Sequence, residues 1–553
     1  MAVTDSPYQA YESPEAGDSQ PETRSVRDRV LPPMRGSVLW GWIGPLLVMV
    51  FGGVLRFLQL GHPKAVVFDE TYYMKDAFSL ITHGVEKVTV KDADKAIMAG
   101  NTDVWQACSP AELDKCASYV VHPPLGKWMI GVGEWLFGLN PFGWRFAAAV
   151  IGTLSILVIA RVARRMTRST LLGCFAGLLL ALDGLHYVLS RTALLDIFLM
   201  FWVLAAFACL VADRDQAREK LVSWYERSPV SPIGTSMSTL GPSLGIRWWR
   251  IGAGVCLAFA MSVKWSGLAF AVAFAIMSVL WDFGARRAVG LRKPYVGALN
   301  KDVPQGALAF VVVPFVTYMA TWAGWFVNAT GYGRNWDQAT SAGNPLFFVF
   351  DSMRSWVHYQ WQVFTFHSGL ETSHPYMSEP WQWPLLLRPV AFYYEGRQNV
   401  CGPGVKDCSE AVLGVGTPVI WFGAVAALVA LIAWYFSSRD WRAGAVLLAY
   451  AMGWLPWFYF AIADNRTMFL FYAIPMVPFM VLAITLCAGL LIGTSRPTVK
   501  GVVPLRRTAG AAAVGAFALL ALINFWWLHP VLSAELIPYL DWKARMLFEK
   551  GWI

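Results

Sequence analysis

Apolar residues run along this chain in long unbroken blocks, and the polar positions gather between them. The blocks lie at about 38–60, 143–160, 170–186, 193–212, 249–264, 266–281, 306–327, 416–436, 443–462, 467–492 and 509–528. A helix needs about 20 mostly apolar residues to cross roughly 30 Å of hydrocarbon. About eleven membrane-spanning helices are therefore expected, in an all-α polytopic membrane protein. The stretch 249–281 is long for one span and short for two, and Lys264-Trp265-Ser266-Gly267 interrupts it. Two short helices meeting near Lys264 are expected there. Most connections between blocks are short, but 61–142 and 328–415 are long and rich in Trp, Tyr, His and Pro. That composition suits folded loops or interfacial helices rather than tethers.

Basic residues set the expected orientation, because short cytoplasmic connections carry an excess of Lys and Arg. Clusters fall at Arg24, Arg27, Arg29 and Arg35, at Arg161, Arg164, Arg165 and Arg168, and at Arg214, Arg218 and Lys220. Others fall at Arg286, Arg287, Arg292 and Lys293, at Arg439 and Arg442, and at Arg496, Lys500, Arg506 and Arg507. With these inside, residues 1–37 are a cytoplasmic tail, both long loops lie outside, and 529–553 is an extracytoplasmic tail. The first segment is rich in Ser, Pro, Glu, Asp and Arg and is expected to be disordered, with no cleavable signal peptide. Residues 38–528 then form one membrane domain, without solenoid repeats.

Composition agrees with this reading. Of 553 residues, 56% are hydrophobic and 15% charged, against roughly 45–50% and about 25% in soluble proteins. A soluble globular protein is excluded. The net charge of +9 belongs to the cytoplasmic connections, so no nucleic-acid partner is expected. Cys108 and Cys116 fall in the first outside loop and Cys401 and Cys408 in the second, spacings that fit two disulfides in an oxidising compartment. Free thiols are the alternative; a zinc site fits less well, because neither pair is a CxxC.

The first long loop opens with Val66-Val67-Phe68-Asp69-Glu70-Thr71-Tyr72-Tyr73, two adjacent acids just beyond the first span. Charge so close to hydrocarbon is expensive and marks a candidate site, although solvated caps of a following helix would look the same. A partly desolvated acid beside another has a raised pKa and can take a proton from a hydroxyl nucleophile. Further on, Val121-His122-Pro123-Pro124-Leu125-Gly126-Lys127 sets His122 and Lys127 about a rigid bend.

These residues together resemble the protein O-mannosyltransferases, a family of GT-C membrane glycosyltransferases. The resemblance is carried by Phe68-Asp69-Glu70, by His122-Pro-Pro-Leu-Gly-Lys127, and by Ser190-Arg191-Thr192-Ala193-Leu194-Leu195-Asp196. Val263-Lys264-Trp265-Ser266-Gly267-Leu268, His374-Pro375-Tyr376 and Trp381-Gln-Trp-Pro-Leu-Leu extend it, and it covers most of 38–528 in order. It implies a GT-C fold of eleven spans with a catalytic first outside loop, in the plasma membrane. It implies a mannosyl phosphate polyprenol as donor and Ser or Thr hydroxyls of secreted or membrane proteins as acceptors, with the protein translocation machinery as a further partner. The loop at 328–415 is too short for the MIR domain of eukaryotic members, so the chain resembles the bacterial, actinobacterial branch.

By that match Asp69 is the expected general base and Glu70 its neighbour that positions sugar or acceptor. The donor phosphate needs fixed cations, for which Arg145, Arg191, Lys264 and Arg466 are the candidates; each could instead reach toward lipid headgroups. The second loop offers His367, Glu371, His374, Tyr376, Trp381 and Trp383. Of these His374 and Tyr376, with His122 and Lys127 from the first loop, are the expected acceptor contacts. No cofactor is required by the sequence, and Mg²⁺ or Mn²⁺ beside the acids stays open. Rival readings are a GT-C transferase of another sugar, such as arabinose, and a lipid-linked sugar transporter.

Overall fold

The computed structural model describes residues 26–34, 36–107, 116–227, 239–336, 345–493, 505–548 and 552. Among them, nine helices are long and apolar enough to cross a membrane. They are Trp40–Phe57, Pro141–Thr167, Asp196–Arg227, Gly267–Ala288, Val303–Thr321, Pro418–Ser438, Trp441–Ala463, Leu470–Ile492 and Leu505–Leu532. The remaining two expected blocks are helical but shorter, as Thr170–Ala181 and Trp248–Val263. In the first, Asp183 ends the block early: its side chain accepts the His186 N–H at 2.9 Å and starts a new helix, Gly184–Leu189. In the second, Lys264 is extended (φ −146°, ψ 141°), and the next helix starts at Gly267.

Leu470–Ile492 and Asp196–Arg227 are largely buried and form the centre of the bundle. Leu505–Leu532 and Val303–Thr321 lie at its edge, turning Leu519, Ile523 and Trp526, and Val311, Phe315 and Val316, outward. Apolar side chains facing out along a helix whose backbone bonds are satisfied internally are what a bilayer selects.

The polar connections collect at two ends. At one end Arg27 pairs with Glu219 at 2.8 Å, and Arg161 donates to the Gly41 carbonyl. There too Arg247 and Arg250 share Asp213 and Asp282, and Arg286 grips Asp302 at 2.7 and 3.0 Å. Members of several expected basic clusters thus gather at this end, whereas Arg24, Arg35, Arg496 and Lys500 lie outside the described residues. The long loops meet at the other end.

Three features differ from the expectation. The protein is not wholly α: β1 (Val390–Gln398), β2 (Asp407–Gly414) and β3 (Ile537–Pro538) form an antiparallel sheet in the order β1-β2-β3. The segment 529–553 is not a loose tail, since Ile537 and Pro538 pair with Ser409 and Cys408, and the buried Trp552 indole donates to the Leu386 carbonyl at 2.6 Å. Structure also starts before residue 38, in the short helix Val26–Val30; residues 1–25 lie outside those described. Cys401 and Cys408 are disulfide-bonded across the β1–β2 turn, with Cα atoms 6.1 Å apart. Cys108 lies outside the described residues, which leaves its pairing with Cys116 undescribed.

Candidate active site

The acidic pair sits at the start of the helix Glu70–His83, and Phe68 sets its geometry. Phe68 has φ +49°, a left-handed conformation that costs a bulky residue on the order of 1–3 kcal/mol. Its ring is held among those of Phe392 (5.0 Å), Phe471 (5.8 Å), Phe469 (5.9 Å) and His374 (6.2 Å), so packing by the second long loop and by the start of the 467–492 block fixes the turn. The Asp69 carbonyl accepts the first helical hydrogen bonds, from Tyr72 N at 3.0 Å and Tyr73 N at 3.3 Å. Its side chain makes no capping bond.

Glu70 turns inward and is fully buried. Arg145, from Pro141–Thr167, binds it in a fork, with Nε to Oε1 at 2.8 Å and Nη2 to Oε2 at 2.9 Å. The backbone N–H groups of Val67 and Ala193 add bonds at 3.0 Å each. Arg145 also donates to the carbonyls of Pro63 and Ala65 at 2.9 Å each. Both ions are thereby saturated by protein.

Asp69 has the opposite surroundings. No hydrogen bond or ion pair among the described residues engages its carboxylate, which is only partly buried. Loss of solvent pushes its pKa up to about 6; the Lys264 ammonium works against that shift and the Asp196 carboxylate adds to it. Lys264 Nζ donates to both oxygens of Asp196, at 2.9 and 2.8 Å. It also stands 5.2 Å from the Tyr472 ring centre and 6.0 Å from that of Phe471. Asp196, Lys264 and Asp69 come from three separate stretches, and only the fold joins them.

The second loop closes over this group. Arg466 donates to the His367 carbonyl at 2.6 Å and, through Nη2, to its Nδ1 at 3.1 Å, while His367 Nε2 donates to the Val121 carbonyl at 2.9 Å. That arrangement leaves a neutral ring, in keeping with a His367 pKa pushed down to about 4 by burial and by Arg466. The ring stacks on His122 at 5.3 Å. Burial and the surrounding cations, Lys264 first among them, hold His122 well below the ordinary histidine range. His374 accepts the Tyr376 N–H at 3.1 Å and packs edge-on against Phe469 at 5.1 Å.

Of the expected phosphate cations, Arg145 is taken up by Glu70 and Arg191 lies elsewhere, as does Lys127, an expected acceptor contact. Arg191 spends its guanidinium on the carbonyls of Arg56 (2.9 Å), Leu58 (2.6 Å) and Gln59 (2.9 Å), fastening the end of the first span. Lys127 is buried against Glu86, with Asp76 at 3.8 Å, so its ammonium is held by acids of its own loop.

Two family descriptions match this chain: "Dolichyl-phosphate-mannose-protein mannosyltransferase" over residues 101–227, and "C-terminal four TMM region of protein-O-mannosyltransferase" over 352–552. The polyprenol-phosphate-mannose–protein mannosyltransferase of Mycolicibacterium smegmatis is 38% identical over 517 residues, 92% of each chain. That of Mycobacterium tuberculosis is 39% identical over 92% of this chain and 91% of its own. The chain belongs to the protein O-mannosyltransferase family. The S. cerevisiae protein O-mannosyltransferase Pmt1-Pmt2 complex bound to the sugar donor shares the fold of this family member, with a TM-score of 0.66, 14% identity and 94% coverage of each chain.

In this mannosyltransferase-family chain, the fold thus gathers Asp69, Lys264, His122, Arg466, His374 and Tyr376 around one end of the bundle. Glu70, Arg145, Arg191 and Lys127 support that group through contacts within the protein. Asp196 was missed as a site residue. Its one sequence signal was its place at the close of Ser190–Asp196, where an acid opening a helix reads as ordinary capping. Among the described residues no group of three or more His, Cys, Asp or Glu side chains is arranged to hold a metal ion. Chemically, the site offers one open carboxylate with raised basicity beside one primary ammonium.

Proposed function

We propose that this chain moves mannose from polyprenyl phosphate mannose to Ser or Thr hydroxyls of translocated proteins, with inversion at the anomeric carbon. The observation that carries this reading is the contrast at Phe68-Asp69-Glu70, where one acid is sealed and the other is desolvated and, among the described residues, has no hydrogen-bond or ion-pair partner. Asp69 accepts the hydroxyl proton as the acceptor oxygen bonds to the sugar carbon, and the bond to the phosphate oxygen breaks with its electron pair leaving on the lipid phosphate. Lys264 meets that developing charge as a fixed cation. Arg466 stands close by and acts on it through the field and through its hold on His367. Glu70 and Arg145 keep the turn in place rather than touching sugar.

His374 and Tyr376, beside Phe68, are the acceptor-side contacts in this reading, and His122 lines the same opening. The two short apolar helices, Thr170–Ala181 and Trp248–Val263, complete eleven crossings. The basic end then faces the cytoplasm, and the site faces outward in the plasma membrane, where chains emerging from the translocation machinery arrive as acceptors.

The test is mannose transfer from a synthetic β-mannosyl phosphate polyprenol to a Ser/Thr/Pro-rich peptide by the full chain in nanodiscs. Wild type is expected to give an α-mannosylated peptide. A β-linked product, or transfer of arabinose in place of mannose, would overturn the reading.

A further inference from the structure

Asp196 has no part in the chemistry just described, yet it holds the cation that does. Its carboxylate is buried at the first turn of Asp196–Arg227, and both oxygens are taken by Lys264. An ammonium has three donors, and two of them here point at Asp196. The rings of Phe471 and Tyr472 also face Nζ, at 6.0 and 5.2 Å, and its charge is felt at Asp69, His122 and His367. The cation best placed for a lipid phosphate is thus bound in the fold by a carboxylate.

We propose that Asp196 is a positioning residue that holds Lys264 at the site before the donor arrives and yields it to the donor phosphate, so that donor binding itself strengthens Asp69 as a base. This rests on the mannosyl-transfer reading. The phosphodiester brings one negative charge to the lysine, and an ammonium on a flexible stem can turn one or two donors to it without leaving Asp196 entirely. Its field at Asp69 is then cancelled by the phosphate, while that of Asp196 persists. The sign follows: Lys264 favours the ionised Asp69 and Asp196 disfavours it, so shifting the lysine to phosphate raises the proton affinity of Asp69 when a hydroxyl is to be deprotonated. Among the described residues, Tyr73 and Tyr472 also feel the charge of Asp69. Arg466 and Lys264 both act on the two neighbouring histidines, which are neutral. The Tyr73 phenol and the two imidazoles keep their charge between pH 5 and 8, so the charge that donor binding moves near Asp69 is that of Lys264.

Asp196→Asn in the full chain tests this. With one anion gone, plain polyprenyl phosphate is expected to bind at least threefold more tightly. In transfer, KM for the donor falls together with kcat, kcat by about tenfold or more, since an interaction that restrained the ground state has been removed. The acid limb of kcat/KM, which reports the free enzyme, moves to lower pH because Lys264 then acts on Asp69 unopposed. Asp196→Glu restores most of the wild-type profile. A raised KM with an unmoved acid limb, or weaker binding of polyprenyl phosphate, would overturn the proposal in favour of a structural pair. The double variant Asp196→Asn with Lys264→Met removes both charges at once, and it keeps the test readable if the single variant folds poorly. Tighter polyprenyl phosphate binding by Asp196→Asn alongside a wild type that transfers no mannose would sink the mannosyl reading and leave the pair intact.

Discussion

Asp69 and Glu70 are adjacent in the chain and share a chemistry, and the fold gives them opposite fates. Glu70 is fully buried and carries four hydrogen bonds, two of them from a guanidinium. Asp69 keeps some exposure and has none among the described residues. The difference begins with direction, since successive side chains at the first turn of a helix point about 100° apart, and is completed by the distant partners that only Glu70 meets. A saturated buried pair stabilises one geometry and resists change, whereas a desolvated acid without donors stores basicity. In two neighbouring residues the site thus divides support from chemistry.

The sharpest way to break that division is Asp69→Asn. The amide preserves shape and removes the base, and transfer is expected to fall by about 10³-fold, within the span usual for general acid–base groups. Donor binding should persist, as read by polyprenyl phosphate affinity. Near-normal turnover in this variant would move the base elsewhere.

Glu70→Gln probes the other half. It leaves Arg145 buried without its counter-ion, and removing one member of a buried pair costs about 3–5 kcal/mol. The melting temperature in detergent should drop by many degrees, while turnover per folded molecule stays within a few-fold of wild type. A normal melting temperature with lost turnover would put Glu70 in contact with substrate after all. For the open pair, Lys264→Gln keeps a hydrogen-bond donor for Asp196 but removes the charge. The expected loss is about tenfold to a hundredfold in kcat/KM for the donor, the range for one charge-assisted contact, with KM for the peptide unchanged.

The contrast also explains what could be read beforehand. The spans were legible because twenty apolar residues in a row leave few alternatives to a bilayer, and the break at Lys264 was legible because a lysine divides such a run. The break at Asp183 was hidden, since Gly184–Leu189 continues the apolar block across it. The sheet was hidden for another reason: β1 and β2 lie in a loop whose residues are largely polar or turn-forming, visible only as Val390-Ala-Phe-Tyr-Tyr. Within the site, the acidic pair was plain, but its partners lie 75 residues on at Arg145 and 123 residues on at Ala193. Asp196 and Lys264 are separated by 68 residues. Which of two adjacent acids is sealed depends on such long-range partners, and a one-dimensional pattern carries no trace of them.

The smallest effect is the most diagnostic of Asp69 as a strained acid. Its folded pKa of about 6 lies above the ordinary 3.8. Between those values the folded state binds more protons than the unfolded one, so stability falls as pH rises. The contribution is complete below about pH 4 and lost above about 6. Asp69→Asn carries no charge at any pH, so it should match wild type in melting temperature near pH 4 and exceed it modestly at pH 7.5. Transfer runs the other way, with wild-type activity failing as pH drops through about 6 because the base becomes protonated. If Asp69→Asn were less stable than wild type at pH 7.5, the open carboxylate would be making favourable contacts, and its resemblance to Glu70 would be closer than the geometry allows.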